Sequence, residues 1–161
     1  WEMDTVVGGA GTSPACLLVL TERMTRREIV RKIPARTQAA VARELDRLER
    51  AGHALFRGLK TLTCDNGCEF LDFETLERSA LRSGRRCEVF FARPFRASER
   101  GSNENANRIV RRFIPKGSDI SAFTRKQVQR IEDWINALPR KLLDGLSAEE
   151  KVRRYFEENA A

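Results

Sequence analysis

The run Ala15–Thr21, ACLLVLT, limits most strongly what this chain can fold into. It has the length of a strand and is almost uninterrupted in its apolar character, so a strand there presents hydrophobic side chains on both faces. Such a strand belongs inside a sheet that is covered on both sides. Its neighbours read differently. Glu28–Ile33, EIVRKI, alternates charged and apolar residues as a half-exposed strand does. Glu2–Val7 reads as a strand ending at Gly8-Gly9, and a Gly/Ser/Pro connection carries the chain on through Pro14. Three strands this close in sequence pair most simply as an antiparallel meander.

Helical spacing begins after the third strand. Val41, Leu45 and Leu48 share one face of a helix expected over Arg36–Ala51, with Gly52 where a C-terminal cap belongs. Leu59–Cys64 is the next strand, closed by the turn signal Asp65-Asn66-Gly67. A second helix is expected over Asp72–Arg82, with Phe73, Leu76 and Ala80 inward, then a fifth strand over Glu88–Ala92, stopped by Pro94. Residues 94–102 read as a loop whose Ser102 caps a helix over Asn103–Phe113, ended by Pro115. Two capping boxes follow, Thr124 with Gln127 and Ser147 with Glu150. The first opens a helix with the stripe Val128, Ile131, Ile135 and Leu138 and with Trp134 in the core, and the second opens a helix burying Val152 and Phe156. A meander followed by βαβ units gives an α/β fold with a mixed five-stranded sheet and helices on both faces, the ribonuclease-H-like order.

The 161 residues, 41% hydrophobic and 33% charged, suit a single domain, with a core over about 1–116 and C-terminal helices over 117–161. No apolar run reaches the roughly 18 residues of a membrane span, and the start, Trp1-Glu-Met-Asp4, lacks the features of a signal peptide. With a first residue other than Met, a piece of a longer protein is expected. Cys16, Cys64, Cys68 and Cys87 fit no zinc spacing, and the lone His53 adds little, so reduced thiols in a cytoplasmic protein are expected. The formal charge of +7 has a definite address. Residues 1–81 hold 12 basic and 12 acidic side chains, residues 117–161 hold eight of each, and residues 82–116 hold ten basic against three acidic. Of the 30 basic residues 24 are Arg, whose planar fork grips phosphate in two places. A localised excess of this kind points to a polyanion, nucleic acid above all.

Three carboxylates stand where chemistry would need them. Asp4 lies inside an apolar strand, Asp65 at the mouth of the fourth strand, and Glu104 at the start of the helix after the basic loop. In the expected topology the first and fourth strands are neighbours and that helix packs across the same edge. Three converging carboxylates repel one another unless a divalent cation joins them, and oxygen-only ligands favour magnesium or manganese over zinc. Each also has a plain structural reading: an outward-facing strand residue, an Asx turn, and a helix-dipole residue.

Several blocks carry a resemblance. Trp1-Glu-x-Asp-Thr-Val-Val-Gly8, Thr61-Leu-Thr-Cys-Asp-Asn-Gly-Cys-Glu-Phe70, Phe91-Ala-Arg-Pro-Phe95 and Arg100-Gly-Ser-Asn-Glu-Asn-Ala-Asn107 are joined by Arg112-Phe-Ile-Pro-Lys-Gly-Ser-Asp119 and Asn136-Ala-Leu-Pro-Arg-Lys-Leu142. In this order they resemble the catalytic core of the insertion-sequence-30 family of bacterial DDE transposases. Met3, Cys68, Phe73, Ser98-Glu99 and Arg108 depart from the family pattern, and the interval from Asp65 to Glu104 is a few residues longer than usual, with the extra length expected around Ser83–Cys87. The family's N-terminal DNA-binding region is not in this chain.

The resemblance implies Asp4, Asp65 and Glu104 as catalytic metal ligands. They would take Mg2+, with Mn2+ able to substitute and two ions present when DNA is bound. Strand cleavage and strand transfer would follow by phosphoryl transfer. It implies double-stranded DNA as partner, a homo-oligomer in the active complex, no membrane, and a place on the bacterial nucleoid. Arg93, Arg96, Arg100, Asn103, Asn107, Arg108, Arg111, Arg112 and Lys116 are the candidate DNA contacts, and Asn66, Gly67 and Glu69 the supports of the turn. Two other readings stay open: a non-catalytic DNA-binding remnant, and a related metal-dependent nuclease or integrase core.

Overall fold

The computed structural model describes residues 1–52, 58–93 and 101–158. His53, most of the expected loop, and with it Arg96 and Arg100, lie outside the described residues.

Five strands form one sheet in the order β3-β2-β1-β4-β5. β1 (Glu2–Val7), β2 (Cys16–Thr21) and β3 (Glu28–Ile33) make the antiparallel meander, while β4 (Thr61–Cys64) and β5 (Glu88–Phe91) join β1 in parallel. All six β2 residues are buried. Their side chains alternate between two cores: Cys16, Leu18 and Leu20 face one, Leu17 and Val19 the other.

Helix α1 (Gln38–Ala51) covers the first face through Val41, Leu45 and Leu48. Thr37 accepts from the Ala40 N–H at its start, and Gly52 closes it in the left-handed region at φ 69°. The second face is covered by α3 (Gly101–Phe113), through Ala106 and Val110, and by α4 (Arg125–Ala137), through Val128, Ile131 and Ile135. The Thr124–Gln127 capping box is complete. Ser147 and Glu150 form the second box before α5 (Ala148–Glu158). This is the mixed, doubly covered sheet of the ribonuclease-H-like fold.

Several expectations need correction. Helix α2 is only Phe73–Glu77, Phe73 is exposed, and Ala80 lies beyond the helix. The chain leaves the helix at Arg78, which bridges Arg85, and the Ser79 N–H donates to the Gly84 carbonyl at 3.0 Å. Buried Glu49 of α1 drives the departure by accepting from the Ser79 hydroxyl (2.6 Å) and the Ala80 N–H (2.8 Å). Helix α3 begins at Gly101, so Ser102 lies within its first turn rather than before it. Trp134 is exposed, although its ring meets Phe113 edge-on at 4.7 Å, and Phe156 is exposed too.

Candidate active site

The parallel pairing of β1 and β4 sets the site. Glu2 is registered against Thr63; Asp4, the third residue of β1, and Asp65, the residue after β4, each follow that pair by two positions. Neighbouring strands run about 4.8 Å apart. Asp4 is held on the face covered by α3: its Oδ2 accepts from Asn107 Nδ2 at 2.7 Å and its Oδ1 from the Thr5 N–H at 2.8 Å. One helical turn earlier, the Asn103 N–H donates to Glu2 at 3.0 Å. One turn later, Arg111 donates to the Val7 carbonyl at 2.8 Å. Residues 103, 107 and 111 thus lay α3 along β1.

Asp65 shapes the turn itself, its Oδ1 accepting from the Gly67 N–H at 2.9 Å. Asn66 donates to the Ala92 carbonyl at 3.4 Å, joining the turn to the end of β5. Gly67 gives the carboxylates of Asp65 and Glu69 room. A Cβ there would lie 2.6 Å from Glu69 Oε2 and 2.8 Å from Asp65 Oδ1. Glu69 is buried beneath the turn, where its Oε1 accepts from Thr5 Oγ1 and Arg36 Nε, each at 2.6 Å. Burial alone would raise the Glu69 carboxyl, but the hydrogen bonds from Arg36 and Thr5 outweigh it and hold the group below its usual range.

Glu104 is exposed on α3, beside Asn103. Phe113 packs on Trp134 of α4, so the flank of α3 bearing Ile109 and Phe113 faces β3. At 100° per residue, Glu104 and Arg111 fall on the opposite flank. Among the described residues, no three His, Cys, Asp or Glu side chains are gathered closely enough to hold a metal ion. Asp4 in β1, Asp65 just after β4 and Glu104 on α3 are thus not drawn into one cluster in the structure. The donors present are hard oxygens, which suit Mg2+ or Mn2+. Asn107 adds a buried Oδ1 with no hydrogen-bond partner, beside Asp4.

The candidate phosphate contacts divide by position. Arg93, Arg112 and Lys116 are exposed. Arg111 is partly committed to Val7, and burial lowers its guanidinium pKa. Arg108 turns away from Glu104 and donates to Asn105 at 2.9 Å. There it joins Arg23, Arg26, Arg140 and Lys141 around a groove of about 600 Å³.

Relatives bear on this geometry. The chain is 32% identical over 163 residues to the transposase for insertion sequence element IS4351 of Bacteroides fragilis, an alignment covering 99% of this chain and 46% of that protein. It is 34% identical over 146 residues to the transposase for IS1086 of Cupriavidus metallidurans (89% and 40%), and 27% identical over 157 residues to transposase InsI of IS30C from Escherichia coli K12 (96% and 38%). Over most of its length the chain is similar to these insertion-sequence transposases. It spans less than half the length of each of these relatives. No family model matches the chain.

The transposase blocks also contact one another in ways that spacing alone did not reveal. Gly9 at the end of β1 donates to the Ser118 carbonyl at 3.0 Å, and a Cβ on Gly9 would meet the Gly117 carbonyl oxygen at 2.3 Å. Asn136 accepts from the Glu28 N–H (2.8 Å) and donates to the Glu28 carbonyl (2.9 Å), docking α4 on the outer edge of β3. Arg36, Thr5 and Asn136 carry structural work that sequence reasoning missed. Only the blocks containing Thr5 and Asn136 signalled two of them.

Proposed function

We propose that this chain is the catalytic core of a DDE transposase that cleaves and joins DNA strands. The reading is supported by the β1–β4 register, from which Asp4 and Asp65 each lie two residues on, and by α3, which carries Glu104 and is tied to Asp4 through Asn107. Asp4, as the shared ligand, Asp65 and Glu104 would hold two Mg2+ ions, or Mn2+ in their place. Such cations supply activation of the attacking water or 3′-hydroxyl and charge stabilisation at the leaving oxygen. Asn107 and the Thr5 N–H each donate to one Asp4 oxygen, which fixes the carboxylate before any cation arrives. Arg93, Arg112 and Lys116 are exposed cations suited to phosphates of double-stranded DNA, giving affinity rather than sequence choice. No covalent protein–DNA intermediate is needed, so no Ser or Tyr nucleophile takes part. Cleavage and joining of element ends proceed in an assembly of more than one copy.

The test is cleavage of DNA carrying the element's ends, with Mg2+ or Mn2+, by the parent and by Asp65→Asn. Loss of a direct ligand should exceed the 10–100-fold typical of an outer partner, so the variant should fall by more than about a hundred-fold with its fold intact. Equal cleavage by both proteins would remove the catalytic assignment.

A further inference from the structure

Glu2, the second residue of the Trp-Glu-x-Asp block, holds none of the proposed catalytic positions, yet only 1% of it is exposed. A carboxylate this deep is costly unless it is paired and hydrogen-bonded. Its two oxygens point to two partners. Oε2 accepts from the Asn103 N–H at 3.0 Å, and Oε1 lies 3.2 Å from Arg23 Nε. The Asn103 N–H belongs to the first turn of α3, among the backbone donors that a helix start leaves unpaired. Here the cap comes from a strand 101 residues away, and its charge complements the positive end of the helix dipole. The Asn103 side chain offers no substitute anchor, since its buried Oδ1 and Nδ2 have no hydrogen-bond partner among the described residues.

The placement of this link is what gives it meaning. Asp4 follows Glu2 by two residues on the same face of β1. Asp65 follows Glu2's registered partner Thr63 by two residues on β4. Glu104 follows Asn103 by one residue on α3. A single hydrogen bond therefore stands at the base of all three carboxylates. The Asn107–Asp4 bond is a second tie one turn along, so the Glu2 tie governs the end of the helix that carries Glu104.

We propose that Glu2 is a positioning residue: it pins the first turn of α3 to β1 and so sets where Glu104 stands over Asp4 and Asp65. The proposal rests on the catalytic reading above. Arg23 neutralises Glu2 from the solvent side, its own side chain being 59% exposed.

The test compares the full chain with Glu2→Ala, Glu2→Gln and, as a reference, Glu104→Gln. Three quantities are read: amide hydrogen exchange over residues 101–107, Mn2+ binding followed by electron paramagnetic resonance with end DNA present, and cleavage. Glu2→Ala should speed exchange in 101–107 while leaving 125–137 as in the parent. It should weaken Mn2+ binding and raise the Mn2+ requirement for cleavage by about 10–100-fold, the range for a partner one step from the metal, with DNA affinity unchanged. Glu2→Gln, which keeps an acceptor oxygen, should recover most of the exchange protection. Unchanged exchange over 101–107, or faster exchange throughout the chain, would overturn the proposal whatever the chemistry. So would selective loosening with parental Mn2+ binding. Parental Mn2+ binding and cleavage by Glu104→Gln would overturn the catalytic reading itself and Glu2's positioning role with it, a result visible without any Glu2 variant.

Discussion

Arg36 and Glu69 meet beneath the Asp65 turn, one half-exposed and the other fully buried. Removing the cation leaves a buried carboxylate short of a partner. Arg36→Ala should therefore destabilise the fold by about 1–3 kcal/mol at neutral pH, measured by urea unfolding. The sign of its pH dependence follows from the lowered Glu69 carboxyl. A depressed folded-state pKa gives stability that is present above the ordinary value of 4.5 and is lost as pH falls through the folded one. The effect of Arg36→Ala should shrink at pH 3, and an equal loss at pH 7 and pH 3 would contradict this pairing. Glu28 runs the other way. Burial pushes its carboxyl up to about 7, against the hydrogen bond from Thr21 and the nearby Arg140. A raised folded pKa gives stability that is full below 4.5 and lost as pH rises through about 7. Glu28→Gln should match the parent near pH 4 and exceed it at pH 8 by on the order of 1–3 kcal/mol in denaturant unfolding. A difference independent of pH would mean that Glu28 is charged throughout.

At the scale of elements, β3 is the sheet edge next to α4, and α4 closes it with side chains. Glu132 accepts from the Val30 N–H at 2.6 Å, and Asn136 takes both backbone groups of Glu28. An edge covered in this way offers no template for another strand. Asn136→Ala should cost about 1–3 kcal/mol in denaturant unfolding, because it leaves two buried backbone groups unpaired. A cost within error of zero would mean that water replaces the amide. What the sequence revealed about elements tracks local physics. β1 and β3 have the expected bounds because alternation and the Gly8-Gly9 stop are local signals. α1 ends where Gly52 permits a left-handed cap. Helix α2 was overestimated because Arg78–Arg82 has helical composition, while the groups that pull it away, Glu49 and the buried Arg86 paired with Asp46, come from distant positions. For the same reason the strand order that neighbours β1 and β4 was legible, whereas the Arg36–Glu69–Thr5 network and the Glu2–Asn103 link were not.

Across the whole molecule, two cores sandwich the sheet and leave the C-terminal ends of β1 and β4 at its rim. The basic stretch 82–116 includes β5, α3 and Lys116. Among the described residues, no helix is long and apolar enough to cross a membrane. If the exposed cations meet DNA phosphates, Arg112→Ala and Lys116→Ala should each weaken binding alike across sequences and reduce the salt slope by about one. Arg111→Ala should do so with an added loss of fold stability, since Arg111 also holds the Val7 carbonyl. A loss confined to one DNA sequence would contradict the phosphate role. Anomalous scattering from Mn2+ in crystals of the protein with end DNA tests the role of the three carboxylates. A peak shared by Asp4 and Asp65, with Glu104 drawn to the same site, is the predicted result. Ordered Asp4, Asp65 and Glu104 with no ion between them, DNA being bound, would contradict it.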